Sequence, residues 1–312
     1  MKNEKLRSFP ILRIGKRKDK RRGNGFLASL GMTGRGWTFL FLLPSLLGML
    51  LFFVLPFGMV IYYSLVNRPV GGEFVGLENF KALLDNRAFL LGAKNTGILL
   101  AVSVPLAVLL PLKLALWLER AIPMKSQLRT AFLSPMLVPI ASVILVWRVL
   151  FHQNGTLNAW LGANTDWFHS TWSILMVLLL YLWKNIGYHT ILFTAALAAI
   201  PRTYIDMANL DGAGRTRQFY TVKLPFLAPT IFFVVLMSLI ASMKIFREVW
   251  LLTGSYPYES LYLLQHFMNN TFRTMDYQKL SAAALMLAVV MGALIAVLLR
   301  IEGHLDRDAE NE

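Results

Sequence analysis

The sequence predicts an all-α integral membrane protein with six transmembrane helices, and three observations predict it. Hydrophobic residues make up 56% of the 312-residue chain and charged ones only 15%, too apolar a balance for a soluble domain of ordinary composition. The apolar residues come in continuous runs long enough for helices to cross a ~30 Å hydrocarbon core, whereas barrel strands would alternate. Lysine and arginine fall unequally between alternate loops, the pattern left when one side of a membrane retains positive charge. Backbone groups in hydrocarbon must also be satisfied inside a helix or a closed barrel, so continuous runs mean helices.

Residues 1–36 read as a basic tail, and much of the net charge of +14 sits there, in runs such as Lys16-Arg17-Lys18 and Lys20-Arg21-Arg22. A basic tail joined to a membrane span fixes topology and touches anionic membrane lipids, so no nucleic-acid partner is expected. The six-span domain covers 37–300, with spans at about 37–66, 89–118, 130–151, 172–200, 224–252 and 281–299, and a short tail follows over 301–312. One set of loops holds Arg120, Lys125, Arg129, Arg202, Arg215, Arg217 and Lys223, and the other only Arg68, Lys81, Arg87, Arg273 and Lys279. By the positive-inside rule both termini and the loop between spans four and five are therefore cytoplasmic. Cysteine is absent, which excludes disulfides and thiolate chemistry.

That loop is the most informative stretch. Thr203-Tyr204-Ile205-Asp206 has capping-box spacing, which predicts a short helix starting near Tyr204. Gly212 and Gly214 can take the positive φ of a helix end, so a second segment from Arg215 to Lys223 can leave at an angle. Pro225 then suits the first turn of the next span. The outcome is a helix, turn, helix knuckle.

From Asp206-Met207-Ala208 through Asp211 and Gly212 to Val222-Lys223-Leu224-Pro225, this knuckle resembles the signature loop of the membrane subunits of binding-protein-dependent ABC importers. The family pattern is Glu-Ala-Ala, three residues, Gly, nine residues, Ile, one residue, Leu-Pro. Every interval fits, with Asp for Glu, Met for the first Ala and Val for Ile. Val75-Gly76-Leu77-Glu78-Asn79-Phe80, Asn154-Gly155-Thr156-Leu157-Asn158 and Leu252-Thr253-Gly254 extend the resemblance to the sugar branch that includes maltose-type and glycerol-phosphate-type permeases. Ser255-Tyr256-Pro257-Tyr258 departs from the Gly-Gly-Pro-rich continuation usual there.

The resemblance implies a permease subunit of the bacterial inner membrane that forms half of a carbohydrate pathway. It implies that Asp206, Met207, Ala208, Asp211, Gly212, Val222, Leu224 and Pro225 couple it to ATP hydrolysis on a separate subunit. The implied partners are a second permease subunit, two ATP-binding subunits and an extracytoplasmic solute-binding protein. Read from the residues alone, the alternative is a plain turn, and a stand-alone secondary transporter or a membrane scaffold for the chain, although six spans without an inverted duplication speak against an autonomous transporter.

Charges inside spans mark where lipid cannot be the neighbour. Lys244, Arg247 and Glu248 in span five would together cost about 8–10 kcal/mol at the bilayer centre, against about 5 kcal/mol gained from its apolar residues. Two readings follow: a Lys244–Glu248 pair four residues apart that only sets helix depth, or a substrate path. The path would comprise Ser242, Lys244, Phe246, Arg247 and Glu248, with Lys184, Asn185 and Tyr188 from span four supplying an aromatic ring beside hydrogen-bonding groups, as a sugar requires. His189, in the same run, reads better as a structural tie between helices. No catalytic constellation, metal-ligand spacing or phosphate-binding Gly-rich loop is present, so the chain is expected to be no enzyme and to carry no metal or cofactor.

Overall fold

A computed structural model describes residues 34–119 and 125–311. Most of the expected basic tail, together with Arg120, lies outside these residues. Among the described residues the chain is almost entirely helical, and extended pairing is confined to an isolated bridge between Val66 and Phe74. Five helices are long and apolar enough to cross a membrane, namely Phe41–Ser64, Arg87–Leu118, Ser173–Ala199, Arg215–Thr253 and Tyr277–Gly303. A sixth crossing exists if Thr130–Leu137 and Ile140–Leu161, bent by 99°, count as one.

The third span, expected as a single rod over 130–151, is therefore broken. Pro139 holds φ −57° and ψ 133°, and its ring drives the preceding Val138 out of the helical region. Span five is interrupted at Ile245, and the last helix runs on well past residue 299. The tail expected over 301–312 continues this helix as far as Asn311.

By compactness the chain divides at residue 58 into two units. In the first, α1 (Gly34–Met49) runs into a π-helical turn at Leu50–Val54. Phe41, Phe52 and Phe53 are each more than two-thirds exposed there, as a lipid-facing surface requires. α2 (Leu55–Ser64) follows, and from Met59 on it belongs to the second unit. The Leu55 amide donates to the Leu50 carbonyl, one residue further back than in an α-helix. The wider turn precedes Pro56, whose ring would otherwise meet the carbonyl four residues earlier.

The second unit contains α3 (Glu78–Leu84), α4 (Arg87–Leu118), α5 (Lys125–Leu137), α6 (Ile140–Phe151), α7 (Thr156–Leu161), α8 (Ser173–Ala199), α9 (Arg202–Leu210), α10 (Arg215–Gln218), α11 (Leu224–Lys244), α12 (Phe246–Thr253), α13 (Leu264–Arg273) and α14 (Tyr277–Asn311). α4 and α8 lie side by side at its centre, and α11 packs on both. Lipid is as apolar as leucine, so small residues and polar ties hold such helices together. The Ser103 and Ser242 hydroxyls share a buried 2.8 Å hydrogen bond, Tyr181 donates to the Ser238 carbonyl at 2.9 Å, and His189 Nδ1 reaches the Ala107 carbonyl at 2.9 Å. Arg148 on α6 donates to the carbonyls of Leu251 and Leu252, where a cation suits the end of α12.

The segment between spans five and six is also fastened to α4. Asn95 Nδ2 donates to the carbonyls of Glu259 (2.6 Å) and Tyr262 (3.0 Å), and Thr96 Oγ1 accepts from the Leu264 amide at 2.9 Å. α13 then buries Leu264 and Phe267 with Leu83, Phe89, Ala282 and Ala283.

Gly187 shows how tightly the helices meet. A Cβ there would fall inside the van der Waals radius of the Phe132 carbonyl oxygen on α5. Gly187→Ala is expected to push α5 off α8 and cost about 1–3 kcal/mol, the usual penalty of overpacking. Gly97→Ala, where nothing lies within 4 Å, should be neutral. Thermal melting of the two variants checks the contrast.

Candidate functional site

Two places combine unusual chemistry with a defined geometry: the knuckle between spans four and five, and a charged cavity between α8, α11, α12 and α13.

The knuckle begins at Pro201 (φ −62°, ψ 133°), and α9 starts directly after it with no side-chain cap. The expected capping box is therefore absent. The fixed φ of proline sets the helix start two residues early, so Thr203 lies inside the first turn and Asp206 caps nothing. α9 ends in a Schellman turn, with the Gly212 amide on the Asn209 carbonyl (3.0 Å) and the Ala213 amide on that of Ala208 (2.9 Å). Gly212 has φ +71°, as this closure needs. Gly214 instead has φ −66° and opens α10, so only one of the two glycines serves the turn.

The second arm continues without a loop through a π-helical turn, Phe219–Lys223, into α11. Leu224 donates to the Phe219 carbonyl ahead of Pro225, repeating the arrangement before Pro56.

Several contacts make this elbow rigid. Ile205, Phe219 and Val222 pack on the core of Leu112, Phe193, Leu197 and Leu227. Gln218 Nε2 joins the two arms, donating to Asn209 Oδ1 (2.6 Å) and the Ala213 carbonyl (2.9 Å). Lys223 Nζ grips both carboxylate oxygens of Glu119 at the end of α4, at 2.7 and 2.6 Å. Ala208 and Leu224 are half-buried, whereas Asp206, Asp211, Gly212 and Pro225 are exposed. Met207 is 63% and Leu210 88% exposed. Apolar side chains held outward on a rigid polar turn are what a protein partner would cover.

In the second place Glu248 is 2% exposed. Its Oε1 accepts from Lys184 Nζ at 2.6 Å and lies 3.5 Å from an Arg247 guanidinium nitrogen, while Oε2 has no partner. The expected Lys244–Glu248 pair does not form. The helix breaks at Ile245, and the carboxylate turns to span four instead. Lys244 is exposed and carries no hydrogen bond or ion pair among the described residues.

Two adjoining hollows share these groups. One of about 200 Å³ is lined by Lys184, Asn185, Lys244 and Glu248, and one of about 520 Å³ by Lys184, Lys244, Phe246, Arg247, Glu248 and Gln265. Among the candidate path residues, Ser242 is buried on Ser103, and Tyr188 is half-buried with its ring 5.9 Å from that of His189. Neither lines these hollows.

Gln265 and Met268 on the larger wall were not anticipated. Their helix announces itself by Leu264, Phe267 and Met268, apolar at positions i, i+3 and i+4. His266 lies edge-on to Phe246 at 4.8 Å, and burial holds its imidazole down at about 4, so it adds no charge at neutral pH. Among the described residues no group of three acidic or histidine side chains could hold a metal.

Comparison with known proteins gives these sites a context. The family described as "Binding-protein-dependent transport system inner membrane component" matches residues 37–311. The chain is 30% identical to the sn-glycerol-3-phosphate transport system permease of Agrobacterium fabrum over 268 residues, 83% of this chain and 92% of that one. It is 29% identical to the sulfoquinovosyl glycerol transport system permease of the same organism, over 84% of this chain and 89% of that one. Its fold is shared with a chain of a bacterial ABC transporter involved in the import of the acidic polysaccharide alginate, with TM-score 0.76 and 21% identity, over 89% of this chain and 98% of that one. A match over nearly the whole membrane domain leaves no room for a stand-alone transporter or a scaffold, and the chain belongs to the family of inner-membrane components of binding-protein-dependent transport systems.

Proposed function

We propose that this chain forms half of the translocation pathway of a carbohydrate importer, driven by ATP hydrolysis on separate subunits. A second permease subunit would complete the pathway, two ATP-binding subunits would seat the knuckles from the cytoplasm, and a solute-binding protein would deliver the sugar from outside. Both termini lie in the cytoplasm in this reading, on the side where the loops are rich in lysine and arginine. The carbohydrate assignment is supported by relatives named for sulfoquinovosyl glycerol, sn-glycerol-3-phosphate and starch degradation products. Lys184, Asn185, Lys244, Phe246, Arg247 and Glu248 are the residues proposed to meet it.

The observation that carries the reading is the doubly tethered elbow with Met207 and Leu210 turned outward. Alternating access needs a nucleotide state that binds one conformation more tightly than the other. An elbow tied to α4 through Glu119 and continuous with α11 would hand movement of the ATPase pair to two spans that pack on α8.

Asp206→Lys tests it. The carboxylate is exposed and makes no hydrogen bond or ion pair among the described residues, so the fold should survive reversal. Losing one charge-assisted contact to the ATPase should lower transport-coupled ATP hydrolysis by about tenfold or more. Asp85→Lys, exposed in the loop between spans one and two and so on the opposite side in this reading, should have no effect. Unchanged coupling in Asp206→Lys, or labelling of the knuckle from outside intact cells, would refute the docking.

A further inference from the structure

The charged cavity is not neutral, and its imbalance has a direction. Lys184, Lys244 and Arg247 contribute three positive charges and Glu248 one negative, a net of +2 on the shared walls. Lys184 is consumed by Glu248 at 2.6 Å. Arg247 is only 3.5 Å from the same oxygen and 64% exposed, so most of its donors stay free. Lys244 has no partner among the described residues. Two exposed cations facing one hollow within a membrane, Lys244 without a partner among the described residues and Arg247 with most of its donors free, repel each other and favour an anion between them. Glu248 Oε2, buried and unpartnered, calls for a neutral donor such as a hydroxyl. One molecule meets both demands if it carries hydroxyls and an acid group together.

We propose that this cavity takes an anionic sugar, its carboxylate, sulfonate or phosphate held between Lys244 and Arg247 while a sugar hydroxyl donates to Glu248. The Phe246 ring on the same wall gives the apolar C–H face of the sugar a surface to lie against. Arg247 can meet the acid group with two parallel N–H donors and Lys244 with a point charge. The Lys184–Glu248 pair holds the carboxylate in place, so that it repels an acid group from its own end of the hollow and orients the molecule. The assignment rests on the permease reading above and narrows it to acidic carbohydrates.

The absence of cysteine makes a direct test available. Met268→Cys, on the wall of the hollow that the cations also line, would be placed in the complete importer in nanodiscs and its modification by a maleimide followed. Methyl glucuronide, glucose 6-phosphate and neutral methyl glucoside serve as protecting probes. The acidic probes should protect at a concentration about tenfold or more below that of the neutral one. This preference should vanish in Lys244→Gln/Arg247→Gln, whose exposed side chains can be neutralised without disturbing the core.

Equal protection by the neutral probe, no protection by any probe, or a preference that survives the double variant would each overturn the proposal. So would protection that appears with phosphatidylglycerol rather than phosphatidylcholine discs in the absence of sugar, since a lipid headgroup would then be the anion. Stimulation of ATP hydrolysis by the binding protein in the same preparation is read separately. Where it persists, the permease reading stands although the acidic sugar falls; where it is missing, the permease reading itself fails.

Discussion

Lys184→Met is expected to destabilise the assembled protein by about 3 kcal/mol, because it strands a buried carboxylate. Glu248 is 2% exposed, and once Lys184 is removed its remaining ion-pair partner among the described residues is Arg247, at 3.5 Å and itself 64% exposed. Its second oxygen has no hydrogen bond to fall back on. The loss belongs to the orphaned charge rather than to the pair, since replacing both members of a buried ion pair by apolar groups is often neutral. Lys184→Met/Glu248→Leu should therefore melt close to the parent, well above Lys184→Met alone. Thermal unfolding of the solubilised complex, run as a double-mutant cycle, separates the two cases. If Lys184→Met melts with the parent, or the double variant melts no higher than the single, the two side chains do not depend on each other.

That pair also marks where sequence reasoning reaches its limit. Long apolar runs and the placement of lysine and arginine make the spans legible, because length and charge are local quantities. The knuckle is legible because its residues lie within one short stretch. The partner of Glu248 is sixty-four residues away, and the pairing rule a sequence offers, the helical spacing of three or four, points to Lys244 instead.

The break at Val138 and Pro139 lies inside an apolar run, where hydropathy changes little. A proline that bends one span by 99° is matched by others, Pro105 and Pro111, that α4 accommodates without interruption. The start of α9 was misplaced for a related reason. Thr203 and Asp206 have the spacing of a cap, but Pro201 has already committed the backbone. The wall formed by α13 was overlooked because a polar loop between spans is not expected to fold back and pack on α4, as Asn95 and Thr96 make it do.

Gly212→Pro is expected to abolish coupling while leaving the membrane domain folded. The position has φ +71°, opposite in sign to the −65° that a proline ring imposes. Its amide donates to the Asn209 carbonyl at 3.0 Å, and proline has no such donor. The Schellman turn cannot close under either condition, so α9 would lose its fixed angle to α10 and the Gln218 bridge to Asn209 with it. The core beneath, built from Leu112, Phe193, Leu197 and Leu227, lies within the spans and does not depend on that turn.

Gly212→Ala should be milder, because an alanine in the left-handed region costs about 1–2 kcal/mol and keeps the amide. Gly214→Ala should be silent, since that residue has φ −66° and nothing within 4 Å of a Cβ. The expected order of substrate-driven ATP hydrolysis is parent equal to Gly214→Ala, then Gly212→Ala, with Gly212→Pro at the basal rate and all four present in the membrane in similar amounts. An elbow that transmits force must hold its angle, so full coupling in Gly212→Pro would mean that the ATPase drives the spans through some other contact.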